Sequence, residues 1–219
     1  MCVVLKYGIW KCAQPEAQDV NALVSGGFPP LAAMVLAGRG LKDAKKAQDF
    51  LCCSGALPDP FAMTDMDKAA GRVRKALVSH EKIAVFGDYD VDGITATCLL
   101  TDFLRRHGAD AVSYIPGRLE EGYGLNLAAG EQLAKDYRVL VTVDLGITNH
   151  EEVRLAQRLG MRVIVTDHHG LGLEESPADA ALNPLLGDYP FRRLCGTGVA
   201  FKLAQALLSV TQNLVAAGR

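Results

Sequence analysis

The sequence predicts an α/β fold: a mostly parallel β-sheet with helices on both faces, preceded by a small helical N-terminal segment. Three observations support this. From Lys82 onward, short apolar segments alternate with longer segments of helical periodicity. That alternation is typical of βαβ units, whose strands are buried on both faces. The chain, with 219 residues and a formal net charge of −2, is also long enough to bury a substantial core.

Residues 1–80 are predicted to be a helical lead-in. Helical periodicity covers 16–25, 30–37 and 41–51, and glycines interrupt it between these segments. Pro58 and Pro60 predict an exposed linker. A further helix is expected to follow Asp65 and to reach about His80.

Residues 81–219 are predicted to form the sheet domain. Apolar segments predict strands at 83–86, 111–115, 139–143, 163–166 and 180–182. Helices are expected between them, at 94–107, 127–135, 149–159 and 198–210. Ligands of such sheets bind beyond the carboxyl ends of the strands. The residues that follow each strand are therefore the candidates for function.

Acidic side chains follow three of these strands. Asp88, Asp90 and Asp92 occupy every second position after the first strand. At about 6 Å and an effective dielectric constant near 20, each pair of like charges costs roughly 2–3 kcal/mol before screening. The Val139–Val143 segment ends in Asp144, and the next strand ends in Asp167-His168-His169. Chance helix caps explain a single such aspartate well but explain three coincident strand ends poorly.

If the strands are parallel, these carboxylates and imidazoles meet at one edge of the sheet. Such an edge suits a divalent ion such as Mn²⁺ or Mg²⁺, and it offers more ligands than one ion needs. Two ions can clamp a phosphoryl group and activate water for in-line attack. The residues therefore predict a site for two divalent cations.

Two other motifs resemble residues 88–95 locally. DxDxDG opens an EF-hand calcium loop, but that loop needs Glu at its twelfth position, where this chain has Leu99. Asp90-Val-Asp92-Gly-Ile-Thr95 resembles the nucleophile motif of haloacid-dehalogenase-type phosphatases. That family needs a downstream lysine and an acidic pair in place of Asp-His-His.

The motifs together resemble the DHH phosphoesterase superfamily and, within it, the RecJ family of single-stranded-DNA-specific exonucleases. TDHHG (166–170), GDYDVDGITA (87–96) and VDLGITN (143–149) carry the resemblance to the superfamily. PGRLEEGYGL (116–125) and GTGVAF (196–201) carry the resemblance to the RecJ branch. Residues 13–75 also resemble the helical lead-in of that branch.

The resemblance implies a role for each matching residue. Asp88, Asp90 and Asp144 would hold one ion. Asp92, Asp144 and His168 would hold the other, with Asp144 bridging. His169 would face the scissile phosphate, and Asp167 would orient the histidines. The implied contacts to phosphate or DNA are Arg118, Gly196 and Gly198, the glycines because they open a helix.

The implied activity is 5′→3′ hydrolysis of single-stranded DNA in repair and recombination. The family also has a further metal-binding aspartate and a second domain after these motifs, and neither occurs before Arg219. The resemblance therefore implies a C-terminally truncated chain that binds Mn²⁺ or Mg²⁺ weakly and has little or no activity. Two alternatives stay open: hydrolysis of short oligonucleotides or cyclic dinucleotides, and a non-catalytic replication scaffold.

Composition indicates the cellular compartment that we expect for the protein. The six cysteines form no CxxC pair, which predicts reduced and mostly buried thiols. No signal-peptide pattern and no apolar segment of the ~20 residues needed to span a bilayer occur. We therefore expect a cytoplasmic protein with no membrane contact. Its expected partners are single-stranded DNA and a single-strand-binding protein or helicase.

Overall fold

The computed structural model describes residues 3–5, 8–10, 12–52, 57–117 and 124–217, with side chains described between 12 and 209. The chain divides into two compact units, Met1–Leu57 and Pro58–Arg219. This division precedes the predicted boundary at residue 80, because the helix after Asp65 packs against the sheet unit. Within the described residues, no helix is long and apolar enough to cross a membrane.

The first unit contains a small hairpin and three helices. Its antiparallel strands are β1 (Val3–Leu5) and β2 (Gly8–Trp10), and its helices are α1 (Ala17–Ser25), α2 (Pro30–Gly38) and α3 (Ala44–Cys52). The helices bury a small set of side chains: Leu23, Ala33, Leu36, Ala37 and Ala47. The three predicted helices are confirmed. The hairpin was not predicted, because three-residue strands are too short to show alternation.

The second unit is the predicted α/β domain. Its helices are α4 (Met66–Val78), α5 (Val91–Arg106), α6 (Leu127–Ala134), α7 (His150–Arg158) and α8 (Gly196–Ala217). Its strands are β3 (Ile83–Gly87), β4 (Ala111–Tyr114), β5 (Val139–Val143), β6 (Arg162–Thr166) and β7 (Ala180–Leu182). All five are parallel, in the order β4-β3-β5-β6-β7. The predicted fold class is confirmed.

Helices cover both faces of the sheet. On one face, Val85 and Val141 pack with residues of α4, α5 and α8. On the other face, Ala84 and Leu140 pack with residues of α6 and α7. Because neighbouring residues of a strand point to opposite faces, a sheet covered on both sides needs continuous apolar strands. The strand sequences meet this need, with every residue of β3 and β5 buried.

The register of the sheet aligns the residues that follow the strands. Gly87 pairs with Val143, and Val143 pairs with Thr166. The next residues along the chain are Asp88, Asp144 and Asp167, so three carboxylates emerge from three neighbouring strands at one edge. The predicted convergence of the strand ends is therefore a direct result of the parallel register.

Three local expectations differ from the structure. Pro60, which the prediction placed in an exposed linker, is a buried residue at the start of a 3₁₀ turn at Pro60–Ala62. Helix α8 continues to Ala217, beyond the predicted end at 210. The described cysteines are free, as expected, but Cys12, Cys52, Cys98 and Cys195 are exposed and not buried. Local periodicity does not report contacts between residues that are far apart in the sequence, and so it does not predict these features.

Replacing Leu100 by alanine should test how far α5 stabilises this unit. Leu100 is fully buried on the face shared with α8, so Leu100→Ala should lower the free energy of unfolding by about 2–5 kcal/mol. The matched control is Leu173→Ala, because Leu173 is fully exposed and its loss should cost less than about 0.5 kcal/mol. Urea denaturation measures both. Equal losses would contradict the assigned core.

Candidate metal centre

The centre is built on the carboxyl-terminal edge of the sheet. Asp88, Asp144 and Asp167 follow β3, β5 and β6, and all three are buried. Two overlapping groups of possible ligands form there, each with its ligand atoms within 4.8 Å of one another. One group is Asp88, Asp90 and Asp144, and the other is Asp144, His168 and His169. Asp144 belongs to both groups and lies at the centre of the site.

Asp144 is held in an unusual environment. Its backbone is left-handed, with φ of 63°, and its side chain is 1% exposed. Oδ1 has no hydrogen-bond partner within the described residues, although Nε2 of His168 lies 3.1 Å away. Burial, followed by repulsion from Asp92 and Asp90, raises the pKa of Asp144 from 3.8 to about 7. The two histidines therefore offset the burial of this carboxylate and its acidic neighbours only in part.

Helix α8 begins directly against Asp144, which explains the glycine at position 196. A Cβ atom at Gly196 would lie 2.3 Å from Asp144 Oδ1, closer than any real contact. Only glycine allows the N-terminus of α8 to approach this carboxylate. The predicted role of Gly196 was a phosphate contact, whereas the structure gives it a packing role and a protein partner.

That partner is Asp92. Its carboxylate accepts hydrogen bonds from Gly196 N at 2.7 Å, Thr197 N at 2.8 Å and Thr197 Oγ1 at 2.6 Å. Asp92 thus places a negative charge at the N-terminus of α8, where the helix dipole favours an anion. Burial raises the pKa of Asp92, but the hydrogen bonds from Thr197 and Gly196 outweigh it and hold the pKa below its ordinary value.

Thr197 is a site residue to which the sequence alone assigned no role. It lies within the GTGVAF motif, but only the glycines were assigned a role there. A threonine between two glycines carries no signal for a partner 105 positions away. The contact exists because α8 packs against α5. Asp92 Oδ2, which accepts the bond from Gly196 N, also lies 3.6 Å from Nε2 of His168.

Asp88 and Asp90 are anchored at the start of α5. Asp88 Oδ1 accepts a hydrogen bond from Tyr89 N at 2.7 Å, and Asp90 Oδ1 accepts one from Gly93 N at 2.9 Å. The second bond makes Asp90 the N-cap of α5. A Cβ at Gly93 would lie 2.5 Å from the Asp88 carbonyl oxygen. Glycine at position 93 therefore lets the first turn of α5 fold back onto the end of β3.

Asp167 is hydrogen-bonded to the two histidines. Its Oδ1 accepts hydrogen bonds from His168 N at 2.7 Å, His169 N at 3.0 Å and His169 Nδ1 at 2.7 Å. Its Oδ2 accepts one from Ile147 N at 2.9 Å. Both oxygens are thus engaged by the protein. These contacts tie Asp167 to both histidines, and its role in orienting them stays a prediction.

The two histidines differ in exposure. The His168 side chain is 30% exposed and faces Asp144 and Asp92, whereas the His169 side chain is 47% exposed. Burial lowers the pKa of His169, but the hydrogen bond and the charge of Asp167 raise it by a larger amount. The pKa of His169 therefore lies above its ordinary value. Asn183, which follows β7, donates to the His169 carbonyl at 3.0 Å and supports the turn.

The structure brings some of the predicted site residues together and others not. The structure brings Asp88, Asp90 and Asp144 together as predicted for one ion. His169 stands in the second group, where the prediction had Asp92. Arg118 lies outside the described residues, and Gly198 lies in the first turn of α8. The assignment of each residue to an ion stays a prediction.

The donor set fits a divalent cation. A buried carboxylate oxygen without a partner, a raised carboxyl pKa and several converging oxygen donors are what a bound cation would compensate. Carboxylates suit Mg²⁺ and Mn²⁺, and the imidazoles extend the set toward softer ions such as Mn²⁺. The possible ligands come from three separate segments that meet here, so capping of one helix does not explain the whole cluster.

The fold and the acidic edge define the chain as a member of the DHH family. The family model described as "DHH family, N-terminal domain" matches residues 82–218. This match covers more than half of the chain. It begins where the sheet begins and includes every described residue of the centre.

Several relatives are RecJ exonucleases. The chain is 40% identical to the single-stranded-DNA-specific exonuclease RecJ of Bacillus subtilis over 204 residues, 91% of this chain and 26% of that protein. It is 43% identical to the Thermus thermophilus enzyme over 157 residues, 69% of this chain and 23% of that protein. The chain thus spans about a quarter of the length of these relatives. The predicted resemblance to the DHH superfamily and its RecJ branch is confirmed.

Solved structures of RecJ share the fold. Thermus thermophilus RecJ in complex with Mn²⁺ superposes with a TM-score of 0.73 at 30% identity, over 91% of this chain and 28% of that one. A manganese-bound exonuclease RecJ gives a TM-score of 0.65 at 39% identity, over 68% and 38%. A DHH domain of the s1p family of ribosomal proteins shares the fold alone, with a TM-score of 0.53 at 16% identity.

Asp144→Asn should stabilise the metal-free protein at alkaline pH. Because the folded state holds the Asp144 proton up to about pH 7 and the unfolded chain loses it near pH 4, the free energy of unfolding falls as pH rises between these values. Asparagine removes this loss. We expect the variant to exceed the wild type by up to about 4 kcal/mol at pH 8, with little difference at pH 4.

Urea denaturation in EDTA at the two pH values measures this difference. Asp102→Asn is the control, because Asp102 is an exposed carboxylate on α5 and should show little pH-dependent change. A variant of Asp144 that is less stable than the wild type at pH 8 would contradict the assigned environment.

Thr197→Val should release Asp92 from the N-terminus of α8. Without the hydroxyl donor, the pKa of Asp92 should rise, since burial then has less opposition. The lowered pKa stabilises the fold above about pH 4, and this contribution disappears as pH falls through the pKa of Asp92. The variant should therefore lose about 1–3 kcal/mol at pH 7 and less at low pH.

Carboxyl ¹³C NMR titration of the metal-free protein measures the pKa of Asp92 directly. Thr197→Ser keeps the hydroxyl and should keep the lowered pKa. An unchanged pKa of Asp92 in Thr197→Val would show that the backbone amides alone hold the carboxylate.

Proposed function

We propose that this chain forms the metal-binding catalytic part of a single-stranded-DNA-specific exonuclease that hydrolyses phosphodiester bonds in the 5′→3′ direction. One observation carries the proposal. Five side chains that can ligate divalent ions come from three neighbouring strand ends and form two groups that share the buried Asp144. The proposal is also supported by relatives that carry the name single-stranded-DNA-specific exonuclease RecJ, one of which matches 91% of this chain. DNA repair and recombination are the corresponding cellular role.

In this proposal Asp88, Asp90 and Asp144 would hold one Mn²⁺ or Mg²⁺ ion, and Asp92, Asp144 and His168 would hold the other. Two such ions supply Lewis acidity that activates water and neutralises charge on the phosphate. The protein contributes preorganisation. Each outer carboxylate is already oriented by a backbone amide, so the site loses little conformational entropy when it is loaded.

His169 acts on the scissile phosphate as a proton or hydrogen-bond donor. Its Nδ1 is engaged by Asp167, so Nε2 is the atom available to the substrate. The raised pKa keeps the imidazole protonated to higher pH, and the protonated form can donate at Nε2. Asp167 supports this by orienting the ring. This pairing resembles the carboxylate–histidine arrangement of other hydrolytic sites.

Further phosphate contacts belong to Arg118 and to the start of α8. Arg118 is assigned to this role by the resemblance, and a guanidinium suits the oxygen atoms of a phosphate. Gly198 is the third residue of α8, whose N-terminus faces the site. At Gly196 the N–H is already bonded to Asp92, so a phosphate there would have to replace that bond. We therefore give Gly198 and Arg118 the larger share of this role.

The cellular setting follows from the proposed activity. Single-stranded DNA is the substrate, and the cytoplasm is the compartment in which a bacterial DNA exonuclease meets it. A single-strand-binding protein or a helicase would deliver such strands. These partners rest on the similarity to RecJ and have no separate support in the site geometry.

Mn²⁺ binding by the 219-residue chain is the first test. The ion should raise the melting temperature of the wild type by several degrees through preferential binding to the folded state. Asp144→Asn should abolish this shift because it removes the shared ligand. Asp102→Asn, which changes the same charge away from the site, should retain it. Equal shifts in both variants would place the ion elsewhere.

Hydrolysis is the second test, with protein in excess over labelled oligonucleotides in Mn²⁺. We expect slow cleavage of single strands, no cleavage of duplex, and loss of activity in Asp144→Asn. Preference for dinucleotides or cyclic dinucleotides would favour the short-substrate alternative. Cleavage of duplex at the rate of single strands, or activity retained in Asp144→Asn, would contradict the proposal.

A further inference from the structure

A basic cleft lies at the edge of the sheet opposite the metal centre. Its volume is about 620 Å³. Three of its cations, Lys68, Arg72 and Lys75, come from one face of α4. Arg138 directly precedes β5, and Arg162 is the first residue of β6. The cleft is thus built on the amino-terminal ends of strands whose other ends carry the acidic centre. Five-residue strands separate the two edges by about 16 Å.

The charges of the cleft are only partly compensated. Its two carboxylates are both engaged: Glu81 pairs with Arg72, and Asp179 pairs with Arg162 at 2.8 Å. Within the part of the chain whose side chains are described, no carboxylate pairs with Lys75 or Arg138. Two free cations and two paired arginines therefore face the same space, and they would attract an anion.

Arg72 adds a donor without an acceptor. Its side chain is 17% exposed, and Nη2 is the atom bonded to Glu81. Nη1 is buried and has no hydrogen-bond partner within the described residues. A buried unsatisfied donor is costly, and because Nη1 has almost no accessible surface, an acceptor in the cleft would reach it only after the side chain of Arg72 shifts. A guanidinium fixed on one side by a carboxylate is also preorganised to bind oxygen atoms of a phosphate.

The lining indicates the chemistry of the ligand. Gly160 and Ala180 are its only non-polar residues among those described, and none of its described residues is aromatic. A peptide would find no apolar pocket to anchor a side chain, and a nucleobase would find no ring for stacking. A compact anion with many oxygen acceptors needs neither of these features.

We propose that this cleft is a second anion site, which binds a phosphate or diphosphate group away from the metal centre. The group belongs either to a free phosphorylated compound or to the backbone of a nucleic-acid strand. In both cases Lys75 and Arg138 provide charge, and Arg72 provides a directed donor. The site is independent of metal and goes beyond the proposed hydrolysis.

Calorimetric titration of the metal-free chain with inorganic pyrophosphate tests the proposal. EDTA and low ionic strength are used, because the unloaded acidic edge then repels the probe. We expect saturable binding by the wild type that is at least tenfold weaker in Lys75→Ala/Arg138→Ala. Both residues are exposed, so the double variant should keep the wild-type melting temperature.

The matched control is Lys135→Ala/Arg158→Ala. These exposed residues adjoin α6 and α7, which cover the other face of the sheet, and the change in net charge is the same. The control should bind within twofold of the wild type. No binding by the wild type, or equal weakening in both double variants, would overturn the proposal.

A competition experiment identifies the source of the phosphate. Oligothymidylate without terminal phosphates is added to the pyrophosphate complex. Displacement that requires Lys75 and Arg138 would support the cleft as a strand contact. Absence of displacement would support it as a site for a free phosphorylated compound.

Discussion

Mutual repulsion among carboxylates at one edge of the sheet is the constraint on which the rest of this unit depends. The parallel register brings Asp88, Asp144 and Asp167 side by side, and Asp90 and Asp92 follow closely. Such a cluster is stable only if most of the negative charges are individually compensated. The chain achieves this with amides: Tyr89 N for Asp88, Gly93 N for Asp90 and the start of α8 for Asp92.

Asp144 is the exception, and its incompletely compensated carboxylate is what would favour the binding of a cation. Its Oδ1 has no hydrogen-bond partner in the described part of the chain, and its pKa is raised to about 7. A buried carboxylate in this state destabilises the metal-free fold at neutral pH and would be relieved by a cation. Asp144 thus lowers the stability of the metal-free fold and would raise the affinity for a cation, a trade-off that is common at functional sites. Gly196 is part of the same arrangement, because any larger residue would push α8 away from Asp144.

Most of the secondary structure was predictable, and the exceptions have physical reasons. The five strands of the sheet and the helices between them follow from apolar segments and helical periodicity, which are local properties. The β1–β2 hairpin was missed because its strands have three residues each. The burial of Pro60 and the exposure of the described cysteines depend on which surfaces meet in the fold. The pairing of Thr197 with Asp92 spans 105 positions and leaves no periodic trace.

The sequence by itself determined the fold class, the acidic strand ends and the family, because each depends on residue type and spacing along the chain. The tertiary structure decided how those residues divide their work. It placed Asp144 between two ligand groups, assigned Asp167 to the histidines and directed Asp92 to α8. It also gathered Lys75 and Arg138, 63 positions apart, into one cleft. Such contacts arise from sheet register and helix packing, which join residues that no sequence pattern links.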